Sequence, residues 1–159
     1  MSDGPSELIL LSAGLIVAAL VSGVLLGTWD DMSGILDERG KQGAEDVRTR
    51  ISLTSDPINI AWETDDHVTI WLQNSGDTFL DVNSVGAAIA GITMTVSVAD
   101  GSEEWLPGQT VQFTLTSATL DASLESGDND VQMSVTASST ASGYTGADSL
   151  REEVRIVKP

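Results

Sequence analysis

The chain has 159 residues, room for one domain plus an appendage, and carries 24 acidic against 7 basic side chains for a formal net charge of −17. Nucleic-acid binding is excluded, because phosphate recognition needs clustered Lys and Arg, and the only two lysines are Lys41 and Lys158. The lack of cysteine removes disulfides, thiolate metal sites and a Cys nucleophile, and an aromatic content of 4% leaves any core to aliphatic side chains.

The acids are spread through a chain that is 41% hydrophobic, not gathered in a tail. A salt-rich environment fits that pattern, since counterions screen the self-repulsion.

Residues 1–55 read as a transmembrane helix with a helical stalk. Pro5 suits the first helical position, and Glu7 then complements the exposed N–H groups and the dipole of the first turn. Leu8 to Gly27 holds no charge and no proline, and as a helix it spans ~30 Å, the thickness of the hydrocarbon core. Trp29 lies just beyond, where interfacial aromatics are common. No Lys or Arg precedes the span and it exceeds the usual apolar stretch of a signal peptide, so a retained anchor is expected. Type IV pilin processing needs a basic-Gly site and a glutamate at the fifth mature position. Only Asp3 and Gly4 precede Pro5, and Glu7 follows too closely.

Small residues recur every fourth position, Gly14, Ala18 and Ser22 on one line and Ala19, Gly23 and Gly27 on another. Such lines permit close helix–helix contact in lipid, although membrane helices are rich in Gly and Ala in any case. The flanking charges give only a feeble lean towards a cytoplasmic C-terminus. Beyond the span, Met32, Ile35, Leu36, Val47 and Ile51 form a sparse apolar stripe suited to partner helices, and Ser55-Asp56-Pro57 breaks the helix.

From residue 56 to 159 the period becomes two. Val68–Gln73, Met94–Val98, Val111–Leu115, Val131–Val135 and Val154–Ile156 alternate clearly, and Ile58–Trp62 and Val85–Ile89 more weakly. Turn signals fall between them at Asn74-Ser-Gly76, Asp100-Gly101, Pro107-Gly108, Ser126-Gly127-Asp128 and Ser142-Gly143, and Ser138–Ala147 reads as a long loop. Seven short strands with one wet face predict an antiparallel Ig-like β-sandwich behind the α-helix, an α plus all-β chain.

Nothing in the sequence points to catalysis, to a cofactor or to a small-molecule substrate. His67 is the single histidine and opens a strand. The acid pairs Asp65-Asp66, Glu103-Glu104 and Asp128/Asp130 lack calcium-loop spacing, and phosphate loops and nucleophile elbows are missing.

Three segments together carry a family resemblance: SELILLSAGLIVAALVSGVLLG at the start, RISLTSDP at the end of the stalk, and VTIWLQNSGDTFLD followed by EEWLPGQTVQFTL in the sandwich. In order and wording the chain resembles the FlaG (ArlG) family of archaellum proteins of halophilic archaea, related to FlaF. The resemblance implies a cytoplasmic-membrane protein with its β domain in the pseudoperiplasm. It implies a stator role coupling the motor to the S-layer with a FlaF-like partner, and self-association through N-terminal helices. A filament subunit (archaellin or pilin) and a membrane-tethered binding module are the competing readings.

Overall fold

A computed structural model describes residues 3–140 and 145–159. The chain divides into two compact units, Met1–Lys41 and Gln42–Pro159.

The first unit is helical. Helix α1 runs Asp3–Arg48, its final turns belonging to the second unit. It begins two residues before Pro5, which therefore stands third in the helix and not first. Proline is still tolerated there, because the first four N–H groups of a helix have no partner within it. The apolar stretch is exposed along its length, from Leu8 through Leu26. Ser12 and Thr28 turn their hydroxyls back onto the carbonyls of Ile9 and Val24, both at 2.9 Å, which hides those polar groups from an apolar surrounding.

The second unit is β-rich. Its strands are β1 (Ile51–Leu53), β2 (Ile60–Glu63), β3 (His67–Asn74), β4 (Gly86–Ile89), β5 (Ile92–Val98), β6 (Thr110–Thr116), β7 (Gly127–Ser138) and β8 (Ala147–Lys158). A short helix α2 (Ala118–Ser123) joins β6 to β7, N-capped by Ser117, whose hydroxyl accepts from the Leu120 N–H at 3.2 Å. Strands β2 to β8 close a seven-strand ring in the order β3-β2-β8-β7-β4-β5-β6 and back to β3, with β1 added on β3. Two strands turn the corners. β2 pairs with β3 through Trp62 and Glu63 and with β8 through Ile60 and Ala61, while β5 pairs with β4 early and with β6 late.

The seven strands expected from alternation are the seven of the ring. Two features depart from the sequence reading. The pairing β2–β8 is parallel, Ile60 opposite Ile156 and Ala61 opposite Val157, so the sheet is not antiparallel throughout. The reason is closure: the ring's last gap is filled by the edges that happen to face each other, and these run the same way. Ile51, read as the end of the helical stripe, is a buried β1 residue opposite Asn74. The helix stops at Arg48 instead of running to Ser55-Asp56-Pro57: Thr49 still closes the last turn, donating its N–H and its hydroxyl to the Glu45 carbonyl at 2.9 and 2.8 Å, and beyond it the backbone bonds elsewhere, the Arg50 carbonyl accepting from Ser75 and Gly76 and Ile51–Leu53 pairing with β3. Of the expected loop at Ser138–Ala147, the ends belong to β7 and β8, and residues 141–144, with the Ser142-Gly143 turn, fall outside the described residues.

Alternation is what fills the ring. Val68, Ile70 and Leu72 of β3 and Val111, Phe113 and Leu115 of β6 point inward and are fully buried, as are Trp105 and Leu120 of α2 at ≤1% exposure. Each such side chain contributes about 1.5–3 kcal/mol by leaving water. Trp105 and Phe113 meet at a ring-centroid distance of 5.2 Å and a tilt of 54°, a favourable aromatic geometry.

Candidate functional site

The buried polar residues of the described chain are Thr49, Asn74, Thr78 and Ser139, and all four gather where the end of α1 enters the β domain. Asn74 is the centre. Its side-chain amide donates to the carbonyls of Thr78 (2.7 Å) and Trp105 (3.1 Å), and its carbonyl oxygen accepts from the Gly76 N–H at 3.1 Å. The Thr49 and Thr78 hydroxyls meet at 3.2 Å, and Ser139 accepts from the Gly146 N–H at 2.9 Å.

Backbone bonds complete the joint. Ser75 and Gly76 donate to the Arg50 carbonyl and Asp77 donates to the Arg48 carbonyl, at 2.9–3.2 Å. Those carbonyls lie at the helix terminus, where backbone acceptors otherwise lack partners. From the other side, Asp46 accepts from the Ala147 N–H (3.0 Å), Asp148 from the Ile51 N–H (2.9 Å), and Gln42 donates to the Thr145 carbonyl (2.6 Å). Two glycines let the chains approach this closely. A Cβ on Gly76 would collide with the Arg48 carbonyl, and one on Gly146 with the Glu45 carbonyl and the Thr49 hydroxyl. Few buried groups are left to pay a desolvation penalty.

A second polar knot closes the far side of the ring. Asp121 of α2 accepts from the Trp62 indole at 2.7 Å and from Lys158 at 2.9 Å. The Lys158 hydrogen bond, together with the hydrogen bond from the Trp62 indole and the lysine's charge, holds the Asp121 carboxyl below its ordinary range. On the β7–β8 surface the Arg155 guanidinium grips Asp130 through two bonds of 2.7 and 3.1 Å and likewise lowers its carboxyl.

The small residues of the sequence reading lie on α1, exposed: Gly14, Ala18, Ala19, Ser22, Gly23 and Gly27. At ~100° per residue the centres of the two lines stand about 140° apart, on different faces of the helix, and Leu10, Val17, Leu20, Val21 and Val24 fill the remaining sector. Glu7 is exposed, as are Met32, Ile35 and Leu36 in the first unit and Val47 in the last turn of the helix. Only Ile51 of that stripe is elsewhere. His67 opens β3, half-buried, opposite Thr116. Asp66 occupies a left-handed turn at φ 57°, Glu103 and Glu104 are exposed, and Asp128 and Asp130 face Arg155. Among the described residues no three His, Asp or Glu side chains are placed to hold a metal ion.

Sequence reasoning located Asn74-Ser-Gly76 as a turn and missed it as the centre of the joint. Thr49, Thr78 and Gly146 carried no local signal at all, since their roles depend on chain segments far away in sequence.

Solved structures similar to this one include the periplasmic chaperone SfaE, at 12% identity and a TM-score of 0.40, over 69% of this chain and 57% of the chaperone. Another is AggA, the major subunit of aggregative adherence fimbriae type I from Escherichia coli, at 9% identity and a TM-score of 0.34, over 70% of this chain and 94% of that subunit. The chain thus covers less than two thirds of the chaperone's length, and neither similarity is deep enough to assign a role. No curated protein sequence matches the chain. The archaeal-type flagellin family model matches residues 2–158, nearly the whole length, and the chain belongs to the archaeal-type flagellin family.

Proposed function

We propose that this chain is a non-catalytic, membrane-anchored structural component of the archaellum, acting as a stator or anchor that couples the rotary motor to the cell envelope. Family membership supports the archaellum assignment. The observation that carries the mechanical reading is the joint: the buried polar residues of the described chain are spent on fastening the helix terminus to the β domain. A part that transmits force needs a fixed joint more than a pocket.

In this reading residues 8–27 span the cytoplasmic membrane once, Gly14, Ala18, Ser22 and Gly23 pack against neighbouring helices, and Met32, Ile35, Leu36 and Val47 continue the contact as a stalk. The β domain is Ig-like, with its two sheets joined at β2 and β5, and it works in the pseudoperiplasm. There it contacts a FlaF-like protein and the S-layer. The charge of −17 suits a halophilic cell, so the melting temperature is expected to rise between dilute buffer and molar KCl.

Deletion of the gene tests the stator role: swimming should cease while filament proteins are still made, and normal swimming overturns it. Membership of a flagellin family is equally compatible with one competing reading, a filament subunit. N-terminal sequencing of the mature protein separates the two, because a cut near residue 4 supports the filament subunit and an intact start supports the anchor.

A further inference from the structure

Two chemically different kinds of contact hold the second unit together. Strands β2 to β8 close their ring without β1, around an apolar interior. The chain entering the ring, residues 42–56, comprises the last turns of α1, then β1 and most of the loop to β2. Among the described residues, Ile51 is the one buried apolar side chain that this segment supplies, with Leu53 partly buried beside it. Ala44 and Val47 of the last helical turns are exposed. What the segment meets on the ring is polar: Thr49 lies against Thr78, and Ile51 stands opposite Asn74.

Hydrogen bonds therefore do most of the fastening. Besides those of the joint, the Thr54 N–H donates to the Trp71 carbonyl at 2.9 Å and the Ser55 hydroxyl accepts from the Trp71 N–H at 2.8 Å. Water takes the place of each lost partner when such groups separate, so parting them costs only the small net preference for the protein bond. Opening the ring instead wets Ile70, Leu72 and Phe113, and no solvent partner offsets that. Past the segment the hold on the ring resumes, with the Arg155 N–H on the Pro57 carbonyl at 2.7 Å and β2 between β3 and β8.

We propose that residues 42–56 form a releasable strap, which opens as one unit while the seven-strand ring stays closed. Shared partners make it a unit. The Thr49 hydroxyl meets that of Thr78, the Thr78 carbonyl holds the Asn74 amide, and Asn74 accepts from Gly76, which also donates to the Arg50 carbonyl. Losing one of these loosens the next, the behaviour of a cooperative sub-global opening. A closed strap transmits twist from the helix end to the ring. Once it opens, the ring is held by a single chain with two soft dihedrals per residue, which carries tension but no torque. The strap thus limits the torque that reaches the ring. That use rests on the anchor reading above, and the opening itself does not.

Residue-resolved hydrogen exchange on the full-length protein in detergent micelles tests the opening. The amides of Ile51, Thr54, Ser75, Gly76 and Asp77 should share one opening constant, at least tenfold larger than that of Val111–Leu115 in β6. The cysteine-free chain also allows a lock, Ser52→Cys with Gln73→Cys, which face each other across β1 and β3. Oxidised, the pair should slow exchange in the strap at least tenfold and leave β6 unchanged; reduced, it should return to the parent's rates, which shows that the variant folds. A fluorophore on Gln132→Cys, exposed on β7, should lose anisotropy in mild urea before the β-sheet circular dichroism falls. One common rate for strap and β6, a separate rate for each strap amide, a lock that protects β6 equally, or anisotropy that falls only with the sheet signal overturns the proposal. None of these readings involves swimming, so their failure leaves the anchor standing. Normal swimming after gene deletion removes the anchor and leaves the opening.

Discussion

Glycine serves opposite purposes in the two units of this chain. On the helix, a Cβ added to Gly14, Gly23 or Gly27 would meet nothing within 4 Å. In the β domain, one added to Gly76 or Gly146 would run into the backbone at the helix terminus. The second pair is demanded by the chain's own packing. The first three are demanded by nothing in the chain, and they even weaken the helix by about 0.5–1 kcal/mol each relative to alanine. If they have a physical reason, it lies in another molecule, and a neighbouring helix that needs room is the simplest one.

This contrast breaks most easily at Gly76. Gly76→Val should cost about 3 kcal/mol or more, because backbone and not a flexible side chain stands in the way. Chemical unfolding of the full chain measures it, and a loss below about 1 kcal/mol would mean the joint yields.

Next comes Asn74→Leu, which takes the amide donor from the buried Thr78 carbonyl and one bond each from the Trp105 carbonyl and the Gly76 N–H, which keep the Leu80 N–H and the Arg50 carbonyl as partners. About 1–3 kcal/mol is the expected loss, with Asn74→Ser intermediate, again from denaturant midpoints.

Acid should act more gently, through Asp121 and Asp130. Their carboxyls sit below the ordinary 3.8 in the folded chain, because Lys158 and Arg155 bond the charged forms. A lowered folded value means the stabilisation is complete above about pH 4 and fades as the pH falls through the folded values. Melting temperature followed from pH 6 to pH 2 should decline in that window. Lys158→Met should flatten part of the decline, and an unchanged curve in that variant would show that the ion pair contributes nothing.

The smallest effect on folding belongs to the helix. Gly23→Leu should move the unfolding of the β domain by no more than about 0.5 kcal/mol, yet lower disulfide formation through an Ala19→Cys reporter at least tenfold. A variant that cross-links as well as its parent would remove the helix glycines from any packing role.

How much of this was legible beforehand depended on how local the physics is. All seven ring strands could be read, since a side-chain period of two is written in neighbouring residues such as Val68-Thr69-Ile70. The apolar helix was legible for the same reason. β1 was not, because Ile51-Ser52-Leu53 is too short to show a period and continued an apparent helical stripe. α2 is only 6 residues long and announces itself mainly by its Ser117 cap.

Chain composition and alternation thus determined a charge-free apolar helix, an acidic β domain and the inward-facing half of every strand. Tertiary structure decided that β2 and β8 meet in parallel and that Asn74 is a buried hub and not a turn residue. Each of these depends on which distant segments come together. Ring closure chooses those partners by geometry and by the need to bury every inward face at once, and no stretch of neighbouring residues carries that information.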